Sequence, residues 1–111
     1  MSTALRLKSP LAECHFNLGN VYYMQGKTDK AIGQYEESLK AREEYFDCLY
    51  NLGNAYCVKE EPSKAVLFFK RALKISPDDF KTTYNLGNAQ YLQGQLSESK
   101  ATYLKALKIK P

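Results

Sequence analysis

The sequence has no tryptophan, one histidine (His15), four prolines and three cysteines (Cys14, Cys48 and Cys57) in 111 residues. Each scarcity excludes something. The cysteine count is odd, no two cysteines form a CxxC pair, and His15 adds only one further ligand, so neither a disulfide framework nor a metal site is expected. The cysteines read as buried, reduced thiols. No serine or cysteine nucleophile motif accompanies His15, and there is no GxxxxGK[ST] or GxGxxG loop, so no catalytic constellation and no cofactor are expected. No apolar run approaches the roughly 18 residues that cross a bilayer, and Met1 to Pro10 has no secretion-like apolar stretch. The expectation is a cytoplasmic chain without a membrane partner. With 44% hydrophobic and 25% charged residues, the composition is that of a folded domain and not of a disordered tail.

What the sequence does contain is a repeat. Asn-Leu-Gly-Asn occurs at 17–20, 51–54 and 85–88, each copy 34 residues from the last. The likeness extends well beyond the tetrapeptide, because residues 46–77 and 80–111 share 13 identities in 32 aligned positions. A fixed period of this size makes the repeat the structural unit. The units open at Ala12, Phe46 and Phe80, each counted here as position one.

Positions four, eight and eleven hold His15, Gly19 and Tyr22, then Leu49, Gly53 and Tyr56, then Thr83, Gly87 and Gln90. Spacings of four and three place them on one helical face. Positions 20, 24 and 27 repeat that spacing with Ala31, Tyr35 and Ser38, then Ala65, Phe69 and Ala72, then Ser99, Tyr103 and Ala106. That is a second helix. Between the two lie Gln25-Gly26-Lys27, Lys59-Glu60-Glu61-Pro62 and Gln93-Gly94-Gln95, where glycine can leave a helix and Pro62 can open one. Each unit therefore reads as an antiparallel helical hairpin. Glycine inside a helix costs roughly 1 kcal/mol against alanine, so Gly19, Gly53 and Gly87 are expected to repay it by letting the helices nest against Ala31, Ala65 and Ser99. Tyr35, Phe69 and Tyr103 are expected to fill the space beside them. Pro77 and Pro111 are expected to stop second helices.

These positions resemble the tetratricopeptide repeat, with its pattern of a large residue, Leu-Gly, Tyr, Ala, aromatic, Ala and Pro. Departures are His15 and Thr83 at the large residue, Gln90 for tyrosine, Ser99 and Ser38 for alanine, and Glu43 for proline. The resemblance implies an all-α fold, a right-handed superhelical solenoid of antiparallel hairpins forming one domain: repeats at 12–45, 46–79 and 80–111, preceded by residues 1–11. Ala4-Leu5-Arg6-Leu7-Lys8 lies two periods before Ala72-Leu73-Lys74-Ile75-Ser76, so 1–11 reads as the remnant of a preceding second helix. The last helix lacks a polar cap, and stacked repeats need one. Self-association through the uncapped C-terminal helix is expected, as for a piece of a longer array.

With no catalytic centre, function is expected on the surface. In such a superhelix the first helices line the concave face, and at about 100° per residue positions two, five, six, nine, twelve and thirteen point away from the packed stripe. There stand Phe16, Tyr50 and Tyr84 at five, Asn17, Asn51 and Asn85 at six, and Asn20, Asn54 and Asn88 at nine, with Lys81 at two in the third repeat. Asparagine is a poor helix former. A row of side-chain amides offers donors and acceptors to the backbone of an extended peptide whatever its sequence. The same amides can instead bridge neighbouring helices, and the aromatics can pack between them, so binding and bridging both stand.

The family resemblance implies two sharper possibilities. Its carboxylate clamp for chaperone tails is matched by Asn20, Asn51 and Lys81 but broken by Phe16 and Asn85, which occupy positions that need cations. Asn17, Asn51 and Asn85 are similar instead to the asparagine ladder that holds substrate backbones in other superhelices of the family. Residues 69–111 carry eight Lys or Arg against three acids, but the cations gather at helix C-termini, where the helix dipole favours them. With no aromatic and basic interleaving, no nucleic-acid partner is expected. The expected function is a protein–protein interaction module that takes an extended or helical peptide along its concave face. The alternatives are a structural spacer or oligomerisation segment of a larger scaffold, and the substrate-selecting arm of an enzyme whose catalytic domain lies outside this chain.

Overall fold

A computed structural model describes residues 9–110, which form six helices: α1 (Pro10–Met24), α2 (Thr28–Ala41), α3 (Phe46–Val58), α4 (Pro62–Ile75), α5 (Phe80–Leu92) and α6 (Leu96–Ile109). The proposed helix of residues 4–8 lies outside the described residues. Helices pair as α1·α2, α3·α4 and α5·α6, and the pairs stack through α2 on α3 and α4 on α5, with α3 also touching α5. The described residues show an all-α fold of antiparallel hairpins repeated three times. The molecule measures 42 × 33 × 19 Å, and its short axis is two helix diameters. Every hairpin therefore has a large surface for its volume.

Helix boundaries follow local chemistry. α1 opens at Pro10, ahead of Ala12, because Ser9 accepts a hydrogen bond from the Ala12 amide at 3.2 Å and proline suits the first turn. Asp79 caps α5 in the same way, accepting from the Thr82 amide at 3.0 Å and from the Thr82 hydroxyl at 2.6 Å. Pro62 occupies the first turn of α4. α2 ends at Ala41 without the family's proline, and Arg42, extended at φ −149°, lays its guanidinium 4.3 Å from the centre of the Tyr45 ring. The three tight turns share a left-handed residue at position fifteen, with Gly26 and Gly94 at φ +79° and Glu60 at φ +61°. Glu60 is therefore strained where the other repeats place glycine.

The core runs along the stack as Ala12, Ala31, Tyr35, Cys48, Leu52, Ala55, Ala65, Phe69, Leu86 and Ala89. The repeated glycines do more than allow the helices to nest. A Cβ on Gly19, Gly53 or Gly87 would meet a ring carbon of Tyr35, Phe69 or Tyr103 at 2.7, 2.5 or 2.7 Å, so the aromatic of the second helix lies directly on the glycine of the first. Polar departures from the family pattern are satisfied. Ser38 Oγ donates to the Ala12 carbonyl at 2.7 Å and Ser99 Oγ to the Gly87 carbonyl at 2.9 Å. Thr83 Oγ1 donates to the Asp79 carbonyl at 2.9 Å, Thr102 Oγ1 to Gln90 Oε1 at 2.6 Å, and His15 Nδ1 meets Gln34 Oε1 at 2.7 Å. These bonds remove the cost of burying a polar group in place of alanine or tyrosine.

The cysteines divide. Cys48 is buried with Sγ 3.2 Å from the Tyr35 carbonyl, Cys57 is half-buried, and Cys14 is exposed. The expectation of three buried thiols fails at Cys14 because no second helix among the described residues covers its side of α1, whereas α2 covers the equivalent Cys48.

Candidate functional site

The first helices α1, α3 and α5 carry the candidate asparagines in two rows, and hydrogen bonds connect those rows across the hairpin junctions. Asn51 Nδ2 donates to Asn20 Oδ1 at 2.9 Å, and Asn85 Nδ2 donates to Asn54 Oδ1 at 3.1 Å. Each junction thus joins position nine of one repeat to position six of the next. Tyrosines engage the same rows: Tyr35 OH donates to Asn20 Oδ1 at 2.6 Å and Tyr50 OH accepts from Asn85 Nδ2 at 3.1 Å within the pairs, and Tyr103 OH donates to Asn88 Oδ1 outside them. Burial pushes the Tyr35 hydroxyl up from its ordinary 10.0 to about 12, opposed by the neighbouring Asn51 side chain. It therefore remains a donor at neutral pH.

An amide has two donor hydrogens and two acceptor lone pairs, and a junction bond uses only part of that capacity. Asn51 Oδ1 and Asn85 Oδ1 have no hydrogen-bond partner among the described residues, nor do Asn54 Nδ2 and Asn20 Nδ2. All four side chains are half-buried. The row ends differ from its middle. Asn17 is exposed with no side-chain hydrogen bond among the described residues, and Asn88 has only Tyr103.

The position-five aromatics are half engaged. Phe16 packs on Tyr35 and Tyr45 at centroid distances of 6.0 and 4.9 Å, Tyr50 on Phe69 at 6.1 Å, and Tyr84 on Tyr103 at 6.2 Å. Each rests on the ring that fills the glycine notch of its own hairpin, and Tyr84 keeps the largest exposed share. Lys81 is exposed at the start of α5. Position two holds Glu13 and Asp47 in the other repeats, so this row runs from acidic to basic along the stack.

Two features of this face escape the sequence reading. Tyr35 and Tyr103 read as core aromatics, yet their hydroxyls hold the position-nine amides; the readable signal is tyrosine where Phe69 shows that phenylalanine suffices for packing. Position thirteen holds Met24, Val58 and Leu92, all exposed. Their common register was visible in the 34-residue period. Beside the last of them, Cys57, Glu60, Pro62 and Leu92 line a cavity of about 370 Å³.

Three family models match the chain: a TPR repeat over residues 19–57, and tetratricopeptide repeats over 46–79 and 81–111. No curated protein matches it in sequence. Among solved structures, the first TPR of Spaghetti (RPAP3), bound to the HSP90 peptide SRMEEVD, is similar with a TM-score of 0.88 and 26% identity over 94% of this chain and 82% of that one. The second TPR of Spaghetti, bound to the same peptide, has a TM-score of 0.88 at 20% identity over 96% and 99% of the two chains. The Sgt2 TPR domain from Aspergillus fumigatus has a TM-score of 0.83 at 22% identity over 92% and 68%. Three repeat matches that together span residues 19–111, on a chain of three stacked helical hairpins, place the chain in the tetratricopeptide-repeat family, a family of protein-interaction modules.

Proposed function

We propose that this interaction module binds an extended peptide segment of a protein partner along the face formed by α1, α3 and α5. The observation that supports it is the unspent hydrogen-bonding capacity of the asparagine rows. Junction bonding consumes position-six donors and position-nine acceptors, which leaves Oδ1 of Asn51 and Asn85 for peptide N–H groups and Nδ2 of Asn20 and Asn54 for peptide C=O groups. Asn17 and Asn88 extend the rows at either end, and Phe16, Tyr50 and Tyr84 flank them with apolar edges. Met24, Val58 and Leu92 offer apolar contact along the rim, and the cavity beside Leu92 takes one side chain.

The peptide class differs from the one named for the similar Spaghetti structures. A carboxylate clamp needs cations where this chain has Phe16 and Asn85, and Lys81 supplies only one of three. Each missing charge-assisted bond is worth about 1.5–3 kcal/mol, and Glu13 and Asp47 add acidic groups to the position-two row. A neutral extended segment with one apolar anchor fits the face better than an acidic tail.

Calorimetry with SRMEEVD and with a library of neutral, apolar-anchored peptides tests this. The expected result is selection of library members, loss of that binding in Asn17→Ala and in Leu92→Asp, and feeble binding of SRMEEVD. Both substituted residues are exposed, so circular dichroism should show intact helices. Micromolar binding of SRMEEVD by the unmodified chain, or library binding that survives both substitutions, overturns the reading.

A further inference from the structure

Glu43 occupies the repeat position that Pro77 and Pro111 hold in the later repeats, and in the fold it lines two adjoining cavities of about 380 and 250 Å³ between α2 and α4. Arg71 is the other residue common to both. Together the cavities form one trough on the second helices. Its floor is apolar, made by Leu39 and Phe68 in the first cavity and by Leu49 and Ile75 in the second. The α2 side carries Glu36, with Glu43 and Glu44 in the connection that follows, and the α4 side carries Arg71 and Lys74. Lys40 also lines the trough, but its ammonium is 3.1 Å from Glu37. Among the described residues no ion pair joins the acidic side to the basic one. A single run of contacts positions the two sides: the Arg71 guanidinium lies 5.4 Å from the centre of the Phe68 ring, Phe68 stacks on Tyr56 at 5.7 Å, and Tyr56 OH donates to Glu36 Oε2 at 3.2 Å.

Hairpin stacking does not require this arrangement. One period later Glu36, Glu43, Phe68 and Arg71 become Lys70, Pro77, Thr102 and Lys105, so the next junction has cations at both helix positions and no ring in the floor. The trough is therefore particular to the first junction. Its charges add little to folding stability, because exposed charges that do not pair stay hydrated. Their effect is on what can enter.

We infer that the trough docks an amphipathic helix of a partner protein, its apolar ridge on Leu39, Phe68 and Ile75, a basic flank toward Glu36 and Glu43, and an acidic flank toward Arg71 and Lys74. Charge complementarity selects this occupant. A uniformly basic segment meets Arg71 and Lys74, and a uniformly acidic one meets three glutamates; like charges brought together across an interface are strongly unfavourable. The Arg71 guanidinium can take a partner carboxylate through two parallel hydrogen bonds. A helix presents one apolar ridge with a flank on either side, whereas an extended strand alternates its side chains toward and away from the surface and offers a single line. From Phe68 to Ile75 the trough runs about 10 Å at about 1.5 Å per residue, which matches two turns of a docked helix. Apolar side chains at i and i+4 then enter one cavity each. The trough shares no residue with the asparagine rows, so the module can hold an extended peptide and a helix at once.

Fluorescence anisotropy with three lactam-bridged helices of about 14 residues, bridged because free helices of that length are marginal in water, tests the inference. All three carry leucine at i and i+4 and differ only in their flanks: lysine on one side and glutamate on the other, lysine on both, or glutamate on both. The intact chain should bind the mixed helix about tenfold more tightly than either uniform one, and Glu43→Lys should lower that affinity by about tenfold. Arg71→Glu/Lys74→Glu makes both sides acidic and should turn the preference to the lysine-only helix, a gain that also shows the variant folds. Asn17→Ala and Leu92→Asp lie on the first helices and should leave binding of the mixed helix unchanged. Equal binding of the three helices, preference of the intact chain for a uniform helix, no binding at all, or loss of binding in Asn17→Ala overturns the inference. So does self-association in sedimentation that Arg71→Glu abolishes, since the occupant would then be a second copy.

Discussion

Asn51 Nδ2 donates to Asn20 Oδ1 at 2.9 Å across 31 residues of sequence, and Tyr35 OH converges on the same oxygen. One amide oxygen therefore ties together both helices of the first hairpin and the first helix of the second. The bond lies at the edge of the core, where half-burial shields it from water on one side. A hydrogen bond of this kind stabilises by about 0.5–1.5 kcal/mol. It also fixes the rotamers of both asparagines, which pre-organises their remaining polar atoms for a peptide backbone and reduces the ordering cost of binding. Bridging and binding, which compete as readings of the bare sequence, are compatible in the folded chain.

Stability and binding should then separate along the row. Asn51→Ala and Asn85→Ala each remove a junction bond, and Asn85→Ala also strands Asn54 Oδ1 whereas Asn20 Oδ1 keeps the Tyr35 hydroxyl, so each should cost about 1 kcal/mol and lower the melting midpoint by roughly 4–8 °C. Asn17→Ala breaks no bond among the described residues and should leave the midpoint within a degree or so while weakening peptide binding. Thermal melts followed at 222 nm decide this. Equal midpoints for Asn51→Ala and Asn17→Ala would show that the junction bonds contribute nothing.

Two glycine-to-alanine changes in helix interiors should have opposite signs. At Gly53 a new Cβ would sit 2.5 Å from Phe69 Cε1 and 2.7 Å from Cδ1, against a ring that is fully buried. Overpacking costs about 1–3 kcal/mol, more than the roughly 1 kcal/mol gained in helix propensity. Gly53→Ala should therefore destabilise, and Phe69→Leu in the same chain should recover part of the loss. At Gly33 a new Cβ meets nothing within 4 Å, so Gly33→Ala should stabilise by up to about 1 kcal/mol. Urea titrations of the three chains measure these differences directly.

The hairpins and their boundaries at Phe46 and Phe80 were legible because a period of 34 residues repeats both the apolar stripe and the turn. The start of α1 was not, since Ser9 and Pro10 form a local cap that belongs to no repeat position. The asparagine rows were legible as rows, but their pairing was not. Whether Asn51 reaches Asn20 or a ligand depends on the stagger of α1 and α3, which spacing along one helix does not report. The polar residues Ser38, Ser99 and Gln90 looked like departures for the same reason: their partners, the Ala12 and Gly87 carbonyls and Thr102, lie on other helices.

Glu60 offers a test of backbone strain. It holds φ +61° at the position where Gly26 and Gly94 hold φ +79°, and a side chain in the left-handed region costs about 1–2 kcal/mol. Part of that is offset because glycine has more freedom to lose on folding. Glu60→Gly should stabilise by about 0.5–1 kcal/mol, and Gly26→Ala should destabilise by about 1 kcal/mol. Midpoints of denaturant unfolding report both. A destabilised Glu60→Gly chain would mean that the glutamate side chain makes a contribution larger than the strain.

Alkaline pH should unfold the protein in a defined window. Burial pushes the Cys48 thiol from its ordinary 9.0 up to about 12, against a smaller lowering by Ser38 and Arg71, and burial likewise raises Tyr35 from 10.0 to about 12. Tyr23, Tyr45, Tyr56 and Cys57 are raised too, with burial the largest cause in each case. A raised folded value means that the native state holds its proton more tightly than the unfolded chain does. The associated stability is complete below the unfolded value and disappears as pH climbs to the folded one. Stability should therefore begin to fall near pH 9 as unfolded Cys48 ionises, fall more steeply above 10 as the tyrosines join it, and be exhausted near 12. Cys48→Ala removes the first step, so the onset should move up to the tyrosine range, at the cost of whatever packing the thiol supplies at neutral pH. Melts between pH 8 and pH 12, with tyrosinate absorbance recorded alongside, follow both steps. A midpoint that stays level until above pH 11 in the unmodified chain would show that these hydroxyls and the thiol ionise in place, without opening the core that Tyr35 and Cys48 share.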